Sequence, residues 1–168
     1  LQAELATVTS EDLLGLAIWH ARSGDLLRAE QYLSAARQRG HDDAAVAYWL
    51  VRVCVAARRC RSAVAHAADY LRDHPSDWPF RLVVATLHEA LGDHTRAELE
   101  LEHITKTAPG MPLPHYRLAM LYRARAADQA RAKMHLEEYV RLAPDGRHAV
   151  EARAALSEVA DLANGPKR

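Results

Sequence analysis

The sequence predicts an all-α fold built from repeated pairs of antiparallel helices. Alanine supplies 33 of the 168 residues, whereas glycine and proline supply only seven each, and this composition is typical of helices. Landmark residues recur at a fixed interval, and the apolar residues within each interval follow the 3.6-residue period of a helix. A single helix pair cannot bury its own apolar stripe, so neighbouring pairs are expected to stack.

A repeat of 34 residues is the strongest signal in the sequence. The pair Gly24-Asp25 recurs as Gly92-Asp93, which lies 68 positions, or two periods, further along the chain. Alanines and prolines keep the same register with one extra residue near the end, at Ala29, Ala63, Ala97 and Ala132, and at Pro75, Pro109 and Pro144. We therefore predict four units, over residues 10–43, 44–77, 78–111 and 112–146.

The first unit shows each part of the expected helix pair. Its first helix carries inward residues at the spacing i, i+3, i+4, i+7, namely Leu13, Leu16, Ala17 and His20. Gly24 suits a tight turn, and Gly40 stands where a glycine commonly ends the second helix. Small residues at Ala17 and Ala29 allow the two helices to approach closely.

The other three units follow the same plan with local differences. The turn of the second unit, Ala57-Arg58-Arg59-Cys60, contains no glycine, whereas the third unit keeps Gly92. The fourth unit is expected to carry its extra residue in the turn at 124–129, where an insertion disturbs packing least.

The two ends of the chain are expected to differ from the repeats. Residues 147–164 have the pattern of one amphipathic helix, which would cap the apolar face that the last pair leaves exposed. Residues 1–9 are expected to be an N-terminal segment or the end of an upstream helix. Residues 165–168 are expected to form a tail after a helix stop.

These repeats resemble the tetratricopeptide repeat (TPR) family. The first unit carries the likeness in L-x-x-L-A-x-x-H, G-D and A-x-x-x-L-x-x-A; the third in A-L-G-D-H-T-R-A-E-L-E-L-E-H-I; the fourth in L-A-M-L-Y and Y-V-R-L-A-P. The resemblance covers roughly residues 10–146. It implies a right-handed superhelical solenoid of four antiparallel helix pairs plus a C-terminal capping helix, with peptides bound along a concave groove formed by the first helices.

The resemblance also implies which residues line such a groove. They are Leu14, Ile18 and Arg22 in the first unit, Tyr48, Arg52 and Val55 in the second, Leu82, Thr86 and Glu89 in the third, and Tyr116, Met120 and Arg123 in the fourth. Seven of the twelve are apolar or aromatic, and an exposed stripe of that kind indicates a partner. Flanking arginines suit carboxylates. The alternative is that these side chains are covered by the N-terminal segment, by the last helix or by a second copy.

No sequence motif for catalysis, cofactor binding or metal binding is present. His88-Glu89 opens a zincin-like pattern, but Gly92 stands where the second histidine belongs. His20 and His88 share a repeat position, so we predict that both are core histidines. Cys54 and Cys60 could not bridge if both lay on one helix, so we expect a small buried thiol at Cys54 and a free thiol near the turn at Cys60. Packing within the fold is the favoured role of Trp19, Trp49 and Trp78, and the alternative is an anchor at an interface.

Composition restricts the partner. The 22 basic and 22 acidic residues cancel, which argues against a nucleic-acid partner, and no apolar run is long enough for membrane insertion. The sequence therefore predicts a non-catalytic protein-interaction scaffold or adaptor without cofactors, whose partner is another protein. The alternative is an assembly component of a bacterial envelope, secretion or motility machine that docks or forms homo-oligomers through its ends. The compartment stays open, with the cytoplasm favoured over a periplasmic or envelope-anchored location.

Overall fold

The computed structural model describes residues 9–40 and 44–164, with side chains up to Val159. In these ranges every regular element is a helix, as the sequence predicts. The α-helices are α1 (Ser10–Ser23), α2 (Leu26–Gln38), α3 (Ala44–Ala56), α4 (Cys60–Asp73), α5 (Trp78–Ala90), α6 (His94–Thr107), α7 (Pro112–Arg123), α8 (Gln129–Leu142) and α9 (Ala149–Asn164). Most of the predicted segment 1–9 and the predicted tail 165–168 lie outside the described residues.

The chain divides into two compact units at the bond between Phe80 and Arg81, within α5. These two halves of the chain, and no longer the 34-residue repeats, are called the first unit and the second unit from here on. In the first unit α1 packs on α2, α2 on α3, and α3 on α4. Ala17 and Ala29 are fully buried at the contact of the first pair, where their small side chains allow the helices to approach. The larger core side chains beside them are Leu13, Leu33, Val46, Leu50 and Val53.

The turns inside the first three helix pairs have a left-handed residue at the same repeat position. Gly24 has φ +86° and Gly92 has φ +74°, a conformation that costs glycine little. Arg58 stands one period from each of them and adopts φ +57° without glycine's freedom. Asp25 and Asp93 then cap the next helices by accepting from the backbone N–H of Arg28 and Arg96, whereas Arg59 at the same place makes no side-chain cap.

The second unit packs α6 on α7, α7 on α8 and α8 on α9. The extra residue of the fourth pair is absorbed by a short 3-10 helix, Ala126–Asp128, before α8. Gln129 fixes this segment because its side-chain amide donates to the carbonyls of Arg123 and Arg125. The insertion therefore lies in the predicted turn.

The last helix closes the core of the second unit. Ala152 and Ala155 of α9 pack with Tyr116, Leu136 and Tyr139. The connection into α9 depends on Gly146, since a Cβ there would lie 2.8 Å from the Tyr139 hydroxyl. That hydroxyl accepts a hydrogen bond from the backbone N–H of His148 at 3.0 Å. None of the helices in the described part of the chain is both long and apolar enough to span a bilayer.

Candidate functional site

The first helices of the first unit present a partly exposed apolar face. On α1, Leu14 and Ile18 are half-buried and Arg22 is exposed. On α3, Tyr48 keeps 44% and Val55 keeps 42% of its surface in solvent. These five predicted groove residues therefore lie where a partner can reach at least part of each side chain.

Arg52 lies over two aromatic rings on the same helix. Its guanidinium carbon lies 4.6 Å from the centroid of the Trp49 ring and 5.5 Å from that of Tyr48, within the range of a cation–π contact. Among the described residues neither Arg52 nor Arg22 pairs with a carboxylate. A small pocket of about 80 Å³ adjoins Arg52 and is lined by Ala21, Leu26, Trp49, Val53 and Ala56.

The predicted groove residues of α5 make internal contacts instead. Leu82 packs against the buried cluster around Leu101 and Leu118. The Thr86 hydroxyl donates to the Leu82 carbonyl and accepts from Arg117, at 2.8 and 2.6 Å. Glu89 accepts from the same Arg117 guanidinium at 2.6 Å. Thr86 and Glu89 therefore position Arg117, which sequence reasoning did not select.

The predicted groove residues of α7 are covered by the C-terminal helix region. Tyr116 is only 8% exposed, and its ring stacks on His148 with centroids 4.2 Å apart. Burial, together with the nearby Glu151, raises the pKa of Tyr116 to about 12. Met120 packs on the same cluster, and Arg123 donates to Glu158 at 2.5 Å. For Tyr116 the expectation of an exposed groove position is therefore wrong, and the alternative expectation, cover by the last helix, is the one that the structure supports.

Two other sequence predictions have different outcomes. His20 and His88 are 7% and 5% exposed, so both are core histidines as predicted; the His20 ring stacks on Tyr32. Trp19 is 63% exposed, so packing within the fold is the wrong prediction for this residue. The next residue, His20, already occupies the inward position on α1.

Sequence reasoning missed a cluster of possible metal ligands in the first unit. Glu30 on α2, Cys54 on α3 and His66 on α4 bring three ligand atoms within 4.8 Å of one another. The Glu30 Oε1 atom lies 3.9 Å from Cys54 Sγ and 3.9 Å from His66 Nε2. The three residues are distant in sequence and match no local motif; only the repeat register brings their positions together.

A second cluster lies in the second unit, beside a cleft of about 450 Å³. The Nδ1 atoms of His115 and His135 are 3.0 Å apart, so one ring donates to the other. Burial lowers the pKa of His115, and burial with the neighbouring His115 lowers the pKa of His135 to about 4. The pair is therefore neutral at physiological pH.

Comparison with solved structures identifies the fold. A tetratricopeptide repeat protein from Parabacteroides merdae superposes with a TM-score of 0.77 and 18% identity, over 90% of this chain and 60% of that one. The described chain has the TPR fold. YrrB, described as a TPR protein with an unusual peptide-binding site, gives a TM-score of 0.69 and 16% identity, over 86% of this chain and 74% of that one.

A third TPR-fold match is close to this chain in length. MamA from Desulfovibrio magneticus gives a TM-score of 0.68 at 15% identity, and the match covers 95% of this chain and 97% of that one. No protein-family model matches the sequence, and no curated protein does so either. At these identities the TPR likeness establishes the fold and leaves the partner to be argued from the residues.

Proposed function

We propose that this TPR-fold protein is a non-catalytic binding module that holds a segment of another protein on the α1 and α3 face of its first unit. The observation that carries the proposal is the half-exposed Tyr48 and Val55 beside Arg52, whose guanidinium stacks on Trp49 and pairs with no carboxylate in the described chain. Aromatic and arginine side chains of this kind contribute most of the binding energy at protein interfaces.

The chemistry of this face defines the segment that it would hold. Tyr48, Val55 and the half-buried Ile18 favour apolar side chains. Arg22 and Arg52 favour a carboxylate, because a guanidinium group can donate two parallel hydrogen bonds, one to each carboxylate oxygen. The proposed ligand is therefore a short peptide segment with apolar side chains and at least one acidic group.

The proposal is narrower than the twelve-residue groove that the resemblance implies. Thr86 and Glu89 already bind Arg117, and Tyr116 and Arg123 already contact the C-terminal helix region. Substituting these four residues would change internal packing together with any binding. The residues that test binding without that complication are Tyr48, Arg52 and Val55.

The test uses the full chain as bait for a displayed library of random peptides. We expect enriched peptides to combine apolar residues with Asp or Glu. Tyr48→Ala and Arg52→Ala should each weaken a selected peptide at least about tenfold, the loss expected when an interface hot spot is truncated. Leu99→Ala is the matched control, because Leu99 is 61% exposed but lies on α6.

Two results would contradict the proposal. One is peptide affinity that stays the same in both variants while circular dichroism shows intact helices. The other is peptide affinity that falls equally in the Leu99→Ala control. If the chain instead acts by self-assembly through its ends, light scattering should give a mass above that of the monomer, and that mass should not change in Tyr48→Ala.

A further inference from the structure

We propose that Glu30, Cys54 and His66 form a binding site for a divalent transition metal of the zinc class. The sequence motifs predict no such site, and the inference does not depend on the peptide-binding face. All three residues belong to the first unit and come from three successive helices, α2, α3 and α4. The mixed set of thiolate, imidazole and carboxylate is a set that Zn²⁺ accepts.

The distances between the ligand atoms are close to those of a metal site. Bonds of about 2.0 Å to nitrogen and oxygen and about 2.3 Å to sulfur, at tetrahedral angles, place ligand atoms roughly 3.3 to 3.6 Å apart. Here Glu30 Oε1 is 3.9 Å from both Cys54 Sγ and His66 Nε2. Small changes in side-chain torsion would therefore bring all three atoms onto one ion.

The surroundings of the cluster orient the carboxylate. Arg59 donates to Glu30 Oε2, which leaves Oε1 facing the other two ligand atoms. A charged hydrogen bond to the second oxygen of a ligating carboxylate is a common means of holding it in place. Cys54 is fully buried, whereas the side chains of Glu30 and His66 retain 18% and 26% exposure. The open side leaves room for water as a fourth ligand.

Binding would exchange a proton for the metal ion. Cysteine binds a metal ion as the thiolate, whereas a free cysteine is mostly a thiol at neutral pH. On binding, the S–H bond breaks, a sulfur–metal bond forms, and the proton leaves to solvent. One proton is therefore released for each ion bound, and affinity rises with pH.

Cobalt(II) is the probe, because it substitutes for zinc and its thiolate complexes absorb light. Titrating the full chain with Co²⁺ should produce the thiolate-to-cobalt band in the near ultraviolet, and added Zn²⁺ should remove it. Cys54→Ser should abolish the band. His66→Gln and Glu30→Gln should weaken Co²⁺ binding at least about tenfold, since losing even an outer-shell partner costs 10- to 100-fold.

Cys60→Ser is the matched control, because Cys60 is the other free thiol of the described chain and is expected to leave the band unchanged. The proposal is overturned if wild-type protein gives no thiolate band, if the band survives Cys54→Ser, or if it disappears in Cys60→Ser. Calorimetry in buffers of different ionisation enthalpy gives an independent readout: release of about one proton supports the site, and release of none opposes it. Helical circular dichroism verifies that each variant folds.

Discussion

The same three repeat positions carry a cluster of polar ligands in the first unit and a packed aromatic ring in the second. Glu30, Cys54 and His66 correspond in register to Glu98, Tyr122 and His135, at separations of 68, 68 and 69 residues. Cys54 leaves its sulfur beside Glu30. Tyr122 instead fills its position completely, with no exposed surface. The side chain at this repeat position, Cys54 or Tyr122, therefore determines whether the surrounding helices enclose a group of possible metal ligands or a packed aromatic ring.

The residues around the tyrosine explain why it is stable there. Its hydroxyl donates to Glu102 at 2.9 Å, and the Arg131 guanidinium lies 4.0 Å above the ring. Burial and the carboxylates of Glu102 and Glu98 raise the pKa of Tyr122. The register places serines, Ser34 and Ser62, where the second unit has Glu102 and Arg131. The first unit thus keeps Glu30 at the position of Glu98, but it lacks the carboxylate that accepts from the tyrosine hydroxyl and the guanidinium above the ring.

Truncating the two equivalent side chains, Tyr122 and Cys54, should lower the unfolding free energy by very different amounts, and the loss at Tyr122 is the largest effect that we predict. Tyr122→Ala removes a fully buried ring and is expected to cost about 3–5 kcal/mol of unfolding free energy. Cys54→Ala removes a single sulfur atom and is expected to cost about 1 kcal/mol. Urea denaturation of the metal-free protein measures both values. Tyr48→Ala, at an exposed tyrosine, is the control and should cost less than about 0.5 kcal/mol.

Equal losses in Tyr122→Ala and Cys54→Ala would contradict this contrast, because they would mean that the thiol and its contacts stabilise the first junction as strongly as the ring stabilises the second. A large loss in Tyr48→Ala would show that the stability difference does not follow burial.

Acid should destabilise the second unit through its buried histidine pair. The pKa of His135 is lowered to about 4 by burial and His115, whereas an unfolded histidine titrates near 6.5. Because the folded value is the lower one, the stabilisation is complete above about pH 6.5 and is lost as pH falls. The loss is about 3 kcal/mol by pH 4. Urea midpoints measured from pH 7 to pH 4 test this slope.

The charged groups around His135 include Arg131, Glu102 and Glu138, and the first of these also lowers its pKa. His135→Phe should flatten the pH dependence, while His103→Gln, at a half-exposed histidine, should leave it unchanged. A wild-type stability that does not vary between pH 7 and pH 4 would rule out this role for the pair.

The 34-residue period predicted the helix pairs because equivalent positions are buried in each pair. It identified the core positions of Ala17, Ala29 and His20, and the turns at Gly24 and Gly92. For Tyr116 it left exposure in a groove and cover by the last helix as alternatives, because the repeat pattern treats every pair alike and does not show that the C-terminal helix region covers only the last one. The cluster of Glu30, Cys54 and His66 was also not predicted, because its residues are far apart in the sequence.

The spacing of this cluster along the chain explains why sequence motifs do not find it. Glu30 and Cys54 are 24 residues apart, and His66 lies a further 12 along, so no search for closely spaced ligands finds them. Each residue alone occupies an ordinary helical position. The available signal was the register itself, which aligns Cys54 with the buried His20 and His88 and so places its sulfur against the neighbouring helices.

The smallest predicted effect on stability concerns the turn inside the second helix pair. Arg58 adopts φ +57° where Gly24 and Gly92 stand in the neighbouring pairs, and a side chain in this region strains the backbone. Arg58→Gly should therefore raise the unfolding free energy, by about 0.5–1 kcal/mol after glycine's extra unfolded-state entropy is subtracted. Ala65→Gly, at an exposed position inside α4, should lower it by about 1 kcal/mol. Urea denaturation separates the two signs; a loss in both variants would show that Arg58 is held there by contacts stronger than the strain.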